Sequence, residues 1–87
     1  MKKSLIGADL GGTNIRVGAI SLQGEVLHHR KESTEPENGK ELVIRKLILM
    51  LRKTIQEEKA LGRKPVAVGI GAPGVIRIRQ GIVVSSP

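Results

Sequence analysis

"VAVGIGAPG", residues 66–74, carries Gly69, Gly71 and Gly74 in the spacing G-x-G-x-x-G, directly after an apolar run that reads as a strand. In a dinucleotide-binding fold a helix would start inside this motif with its N-terminal amides facing a pyrophosphate, and an acidic residue about 20 positions on would hold the ribose. Neither condition is met. The chain continues as "VIRIRQGIVVSSP", where apolar and polar residues alternate over 75–79 and β-branched residues dominate 82–84, a hairpin pattern. Pro73 would fall within the first helical turn, and no Asp or Glu occurs after Glu58. The three glycines therefore serve something other than a dinucleotide loop.

Working outward from that strand, the segment before it is helical. Residues 40–61 place Ile44, Leu47, Ile48, Leu51 and Ile55 at helical spacing, with Asn38 and Glu41 spaced as a capping box and Gly62 placed to end the helix. Leu42, Val43, Leu49 and Met50 widen the apolar surface beyond one stripe, so the helix expects a second partner besides a sheet. Upstream, residues 4–10, 15–21 and 25–33 read as three strands joined by "GGTN" and by Gln23-Gly24, an antiparallel meander, and "TEPENG" is a loop. The near-continuous apolar run over 65–72 suits a buried parallel strand reached by a helical crossover. Residues 75–79 and 82–85 then pair around Gln80-Gly81. The expected order is β-β-β-α-β plus a C-terminal hairpin, an α/β arrangement on a mixed sheet.

At 87 residues this is one domain or part of one, and the absence of Phe, Tyr and Trp leaves the core to Leu, Ile, Val, Ala and Met. The chain stops after "IVVSSP" with no terminal helix pattern, so a single partial domain spanning 1–87 is expected. The lack of cysteine excludes disulfides and thiolate metal sites and suits a cytoplasmic protein. Asp9 interrupts the N-terminal apolar run before a signal-peptide core is complete, and no stretch is long enough to span a membrane. The net charge of +7 is unevenly placed: residues 1–39 balance, whereas 40–64 hold eight basic against three acidic side chains. Most of the excess decorates the helix, as a solvated face does, and without aromatic residues nothing can stack on bases, so nucleic acid is an unexpected partner.

The chemistry concentrates in "ADLGGTN". Asp9, the one aspartate, ends an otherwise apolar strand, where a desolvated carboxylate needs a cation, a metal or hydrogen-bond donors. Gly11 and Gly12 let backbone amides approach an anion, and Thr13 adds a hydroxyl. That set suits magnesium-bound phosphate. The same residues also make a two-glycine hairpin turn with Asp9 as a turn acceptor, and spacing alone does not separate the two. No G-x-x-x-x-G-K-[ST] is present. "GAPG" at the end of the fourth strand is a second glycine-rich turn, and two such turns at neighbouring strand ends suggest one cleft.

"GADLGGTNIRVGAISLQGEVL" resembles the first phosphate motif of the ROK family of bacterial sugar kinases and sugar-responsive repressors. "AVGIGAPGVIRIRQGIVVSSP" resembles that family's G-x-G-x-P-G-x-x-D-x-x-x-G segment. The resemblance runs through nearly the whole chain in the right order. It implies the N-terminal lobe of a ribonuclease-H-like, actin-like ATPase fold. By matching position it implies that Gly7, Asp9, Gly11, Gly12, Thr13 and Asn14 face ATP, with Asp9 directed to Mg2+ through water, and that Pro73 and Gly74 border the sugar pocket. Asn14 stands where the family often has Lys, removing one cation near the phosphates, and Arg77 replaces a common Asp, which alters the local hairpin contacts.

The resemblance also places the family's catalytic aspartate, its Glu and His sugar ligands and the Cys/His zinc cluster of many members beyond Pro87. His28 and His29 are accordingly expected to be surface strand residues rather than zinc ligands. The implied parent is an ATP-dependent hexose kinase, a glucokinase acting in the cytoplasm as a homo-oligomer, and this piece alone is expected to be inactive. A ROK repressor is the alternative, although its winged-helix domain would precede the "DLGGT" strand. A stand-alone module meeting an acidic partner through Arg45, Lys46, Arg52 and Lys53 is the third reading. A bare helix face and an unprotected final strand predict self-association.

Overall fold

In the computed structural model, residues 2–71, 77–79 and 82–85 are described, the last two segments by their backbone pairing. Three strands, β1 (Lys2–Leu10), β2 (Asn14–Ser21) and β3 (Val26–Ser33), form the meander expected from the turn residues. One turn of 3-10 helix (Pro36–Asn38) leads into the helix α1 (Lys40–Ala60), which crosses over to β4 (Arg63–Gly71). β5 (Arg77–Arg79) and β6 (Ile82–Ser85) close the chain as an antiparallel pair. The sheet has six strands in the order β3-β2-β1-β4-β6-β5, with β4 parallel to β1 and β6 parallel to β4.

The core lies between α1 and one face of β1, β2 and β4. Pairings Ile6↔Ala19, Ala8↔Val17 and Leu10↔Ile15 align the even residues of β1 with the odd residues of β2, as the two-residue period of a strand dictates. Against this layer α1 sets Val43, Leu47, Met50 and Thr54 at three- and four-residue steps. Ile6, Ile15, Val17 and Met50 are buried to 1% exposure or less. Each such aliphatic or thioether side chain contributes about 1.5–3 kcal/mol of apolar transfer.

Three local expectations change. The capping box is absent: Gly39, not Asn38, caps α1, and no side chain bonds to the helix N-terminus. The 3-10 turn carries the chain in too sharply for Asn38 to reach the cap, and Gly39 at φ 96° makes the bend that a β-carbon would oppose. Asn38 Nδ2 donates instead to Glu35 Oε2 at 3.3 Å. The continuous apolar run of β4 is not buried on both sides, and Val66 is 43% exposed. Finally, β6 is no unprotected edge, because it pairs with β4 on one side and β5 on the other. Gly62 does end the helix, its N–H donating to the Lys59 carbonyl at 3.1 Å.

The stripe read from spacing is displaced: Ile44 and Ile48 remain 50% and 42% exposed, whereas Val43 and Met50, expected on the widened surface, turn to the core. No helix among the described residues is long and apolar enough to cross a membrane.

Candidate nucleotide-phosphate site

Residues 11–13 link β1 to β2 in a turn closed by the Gly11 N–H donating to the Asn14 carbonyl at 3.0 Å. Gly11 and Gly12 have different reasons to be glycine. A β-carbon on Gly11 would lie 2.9 Å from the Asn14 carbonyl oxygen, a backbone atom that cannot yield, so the turn itself demands glycine there. A β-carbon on Gly12 would meet nothing within 4 Å, and Gly12 does not have a positive φ. Nothing among the described residues explains Gly12. A space that a β-carbon would invade is, by contrast, what a phosphate oxygen approaching the backbone requires.

The remaining groups of the turn are turned to two sides. Two of its carbonyls are taken: the Thr34 hydroxyl donates to the Gly11 carbonyl at 2.8 Å, and the Thr34 N–H donates to the Thr13 carbonyl at 2.9 Å. Among the described residues, neither the Gly12 nor the Thr13 N–H has an acceptor, and both residues are exposed. Two successive free amides beside a hydroxyl form a small anion-binding concavity. Asn14, half-buried, begins β2 opposite Ser33.

Asp9 stands at the end of β1, paired across the sheet with Arg16 and, in the parallel direction, with Gly71. It is exposed, which corrects the premise that it is desolvated. Alternation puts it on the face away from α1, so the apolar residues on either side of it face the core while its carboxylate meets solvent. It joins Gly7, Arg16, Gly18, His29 and Lys31 around an open cavity of about 710 Å³. Gly7 is half-buried there, with the Ile20 side chain 3.0 Å from where its β-carbon would be. Among the described residues, no group of three or more His, Cys, Asp or Glu could hold a metal. A single carboxylate is nevertheless a sufficient protein share for Mg2+, which keeps waters and takes its other ligands from phosphate.

The pairing Asp9↔Gly71 sets the C-terminal ends of β1 and β4 side by side, so the diglycine turn follows β1 at the end of the sheet where β4 also ends. Pro73 and Gly74, expected at the sugar pocket, lie outside the described residues. The dinucleotide reading is excluded on structure as on sequence. Gly69 and Gly71 both lie within β4 rather than in a loop, and the next element is β5.

Sequence reasoning missed two residues. Thr34, only 4% exposed, holds the turn. Glu58 is fully buried on the core face of α1, and around it lies the chain's main polar network. Arg63 donates to both its oxygens at 2.8 Å, and His28 Nε2 donates to Oε2 at 2.7 Å. Arg30 pairs with the neighbouring Glu57, which also lies 3.6 Å from His28 Nδ1. His28 is thus a strut between β3 and α1, a correction to its expected place as a surface residue, whereas His29 is exposed. The Arg63 guanidinium, opposed by burial and helped by His28, pulls the Glu58 carboxyl from 4.5 to about 2. Lys46 similarly holds the exposed Glu35 carboxyl below its ordinary value. Part of the basic excess of α1 and β4 is therefore spent inside the molecule.

Comparisons with known proteins agree with this architecture. The glucokinase of Thermotoga maritima is 45% identical over 86 residues, covering 99% of this chain and 26% of that protein. The xylose repressor of Caldicellulosiruptor bescii is 29% identical over 84 residues, covering 97% of this chain and 21% of that protein. The crystal structure of a ROK family transcriptional regulator, a homologue of the E. coli MLC protein, matches with a TM-score of 0.73 at 15% identity, over 99% of this chain and 28% of that one. The likeness in fold bears out the α/β reading and the partial actin-like lobe. The chain spans about a quarter of the length of the curated relatives it matches. The ROK family model matches residues 5–87, and the chain belongs to that family.

Proposed function

We propose that this chain forms the phosphate-binding part of a cytoplasmic ATP-dependent hexose kinase, with glucose as the acceptor. The observation that carries the reading is the pair of free, exposed amides at Gly12 and Thr13 in the turn that follows β1, with open space where a Gly12 side chain would be. The 45% identity to a glucokinase supports the choice of kinase and of sugar.

Gly12, Thr13 and Asn14 would hold phosphate oxygens by their amides and the Thr13 hydroxyl, and Asp9 would hold the water shell of Mg2+. The metal, when bound, neutralises charge that builds on the transferring phosphoryl group. In-line transfer also needs an acceptor hydroxyl and a base to take its proton. Pro73 and Gly74, which follow β4 in the sequence, are the proposed border of the sugar pocket. The base is proposed to lie outside this chain, so the chain alone with MgATP and glucose is expected to release no ADP above background.

A sugar-responsive repressor is the second reading, favoured by the likeness to a xylose repressor and to a transcriptional regulator. Calorimetric titration separates the two. The kinase reading predicts saturable MgATP binding that ADP competes away. Absence of nucleotide binding by a chain shown to be folded would favour the repressor. The bare stripe of Ile44 and Ile48 adds an expectation of self-association. Sedimentation should show concentration-dependent dimers that Ile48→Glu abolishes, and a monomer at high concentration would contradict it.

A further inference from the structure

The diglycine turn has the right groups for an anion, yet a glycine-rich hairpin left to itself samples many conformations. What holds its amides outward lies in the segment just after β3. Thr34 is 4% exposed and makes two bonds to the turn, from its hydroxyl to the Gly11 carbonyl at 2.8 Å and from its N–H to the Thr13 carbonyl at 2.9 Å. These bonds grip the carbonyls on either side of the Gly12–Thr13 peptide. Peptide planarity makes the consequence definite: fixing the Gly11 carbonyl sets the direction of the Gly12 N–H and fixing the Thr13 carbonyl that of the Asn14 N–H, so the peptide between them, which carries the Thr13 N–H, is held at both ends.

The grip is itself anchored. Lys46, on α1, donates to the Ser33 carbonyl at 2.6 Å and to Glu35 Oε1 at 3.0 Å, one residue on either side of Thr34. Glu35 sits at φ 51° and ψ 59°, a left-handed conformation unusual for a side-chain-bearing residue, and it persists because Lys46 and Asn38 both hold its carboxylate. A continuous line of contacts thus runs from α1 through Lys46, the 33–35 segment and Thr34 to the turn.

We propose that Thr34 is the positioning residue of the phosphate site, presetting the Gly12 and Thr13 amides for the anion before it arrives. The proposal rests on the reading of residues 11–14 as a phosphate loop. It assigns Thr34 no contact with ligand: its effect passes through the two carbonyls it holds. A preset donor pair spares the ligand the cost of ordering the turn, so removal of the hydroxyl should appear as lost affinity.

The test uses Thr34→Val, close in shape but without the hydroxyl, and Thr34→Ser, which keeps it. Hydrogen exchange is followed in the free chain at the two bonded turn amides, the Gly11 N–H on the Asn14 carbonyl and the residue 34 N–H on the Thr13 carbonyl, with MgATP affinity in parallel and exchange at Ile6 and Val17 reporting the core. In Thr34→Val the two turn amides should exchange about tenfold faster and MgATP should bind about tenfold more weakly, the scale of one lost hydrogen bond. The core amides should be unchanged, and Thr34→Ser should return both readouts to within about twofold. Lys46→Met, which leaves the turn untouched, should loosen the same amides to a smaller degree. Unchanged turn amides in Thr34→Val overturn the positioning role whatever ATP does. So does an acceleration equal in the turn and the core, which marks a general loss of stability. Turn amides that loosen while MgATP affinity holds would show that the phosphate site lies elsewhere, and the underlying reading would then fall.

Discussion

Acidification from about pH 4.5 to about pH 2 will strip the chain of the stability that Glu58 supplies. The Glu58 carboxyl is fully buried and its pKa is depressed from 4.5 to about 2, chiefly by the Arg63 guanidinium. A carboxylate whose folded pKa lies below its unfolded value binds fewer protons in the native state. Its contribution is therefore complete above about pH 4.5 and lost as pH falls through the folded value. A shift of this size corresponds to about 3 kcal/mol, and the partial exposure of Arg63 and His28 brings the expected contribution nearer to about 2 kcal/mol.

Glu58→Gln should thus unfold in denaturant about 2 kcal/mol more easily at pH 7, with a much shallower loss of stability between pH 4.5 and pH 2. Glu58→Ala should cost more, about 3 kcal/mol, because it also leaves a cavity and two unpaired cationic or polar partners. Urea titrations at several pH values check both. A Glu58→Gln curve that parallels the unsubstituted chain through the acid range would contradict the assignment.

Gly12→Ala should abolish nucleotide binding while leaving the fold intact. The added methyl meets no described atom within 4 Å, and replacing glycine at a residue without positive φ restricts the unfolded chain. Stability should therefore hold or rise by about 0.5 kcal/mol. The same methyl would stand where a phosphate oxygen must approach the backbone, and affinity for MgATP should fall by at least about a hundredfold. Gly11→Ala supplies the contrast: its methyl collides with the Asn14 carbonyl 2.9 Å away, so it should damage both the turn and the binding. Thermal melts beside calorimetric titrations separate the two. Gly12→Ala binding MgATP like the unsubstituted chain would show that the space above Gly12 has no ligand in it.

Much of the fold was legible because periodicity reports burial directly. The alternation of β1 and β2 marks the face that meets the core, and "GGTN" and Gln23-Gly24 mark reversals that the backbone makes there. The three- and four-residue steps found α1 itself but not its buried face, which is set by Leu47, Met50, Thr54 and Glu58. The parallel placement of β4 followed from its near-continuous apolar run after a helical crossover. What escaped depends on partners far apart in the chain. Glu58 looks like one more charge on a basic helix until β3 and β4 bring His28 and Arg63 to it. Thr34 looks like a loop threonine until the meander returns it to Gly11, 23 positions away. The capping box failed because a local spacing rule could not anticipate the 3-10 turn that moves the cap to Gly39. In the candidate site, "DLGGTN" was visible as a group. That Asp9 is exposed while Ala8 is buried and Leu10 half-buried follows from which face α1 covers.

A nucleotide site at the diglycine turn is best tested by an NMR titration of the isotope-labelled chain with MgATP, following every backbone amide. Saturable shifts should concentrate at Gly12, Thr13 and Asn14 and at Gly71, which pairs with Asp9 at the same edge of the sheet. Residues of α1 remote from that edge should stay still. A well-dispersed spectrum in which those amides ignore MgATP, or in which the shifts run along Lys40–Ala60 instead, would contradict a phosphate site there.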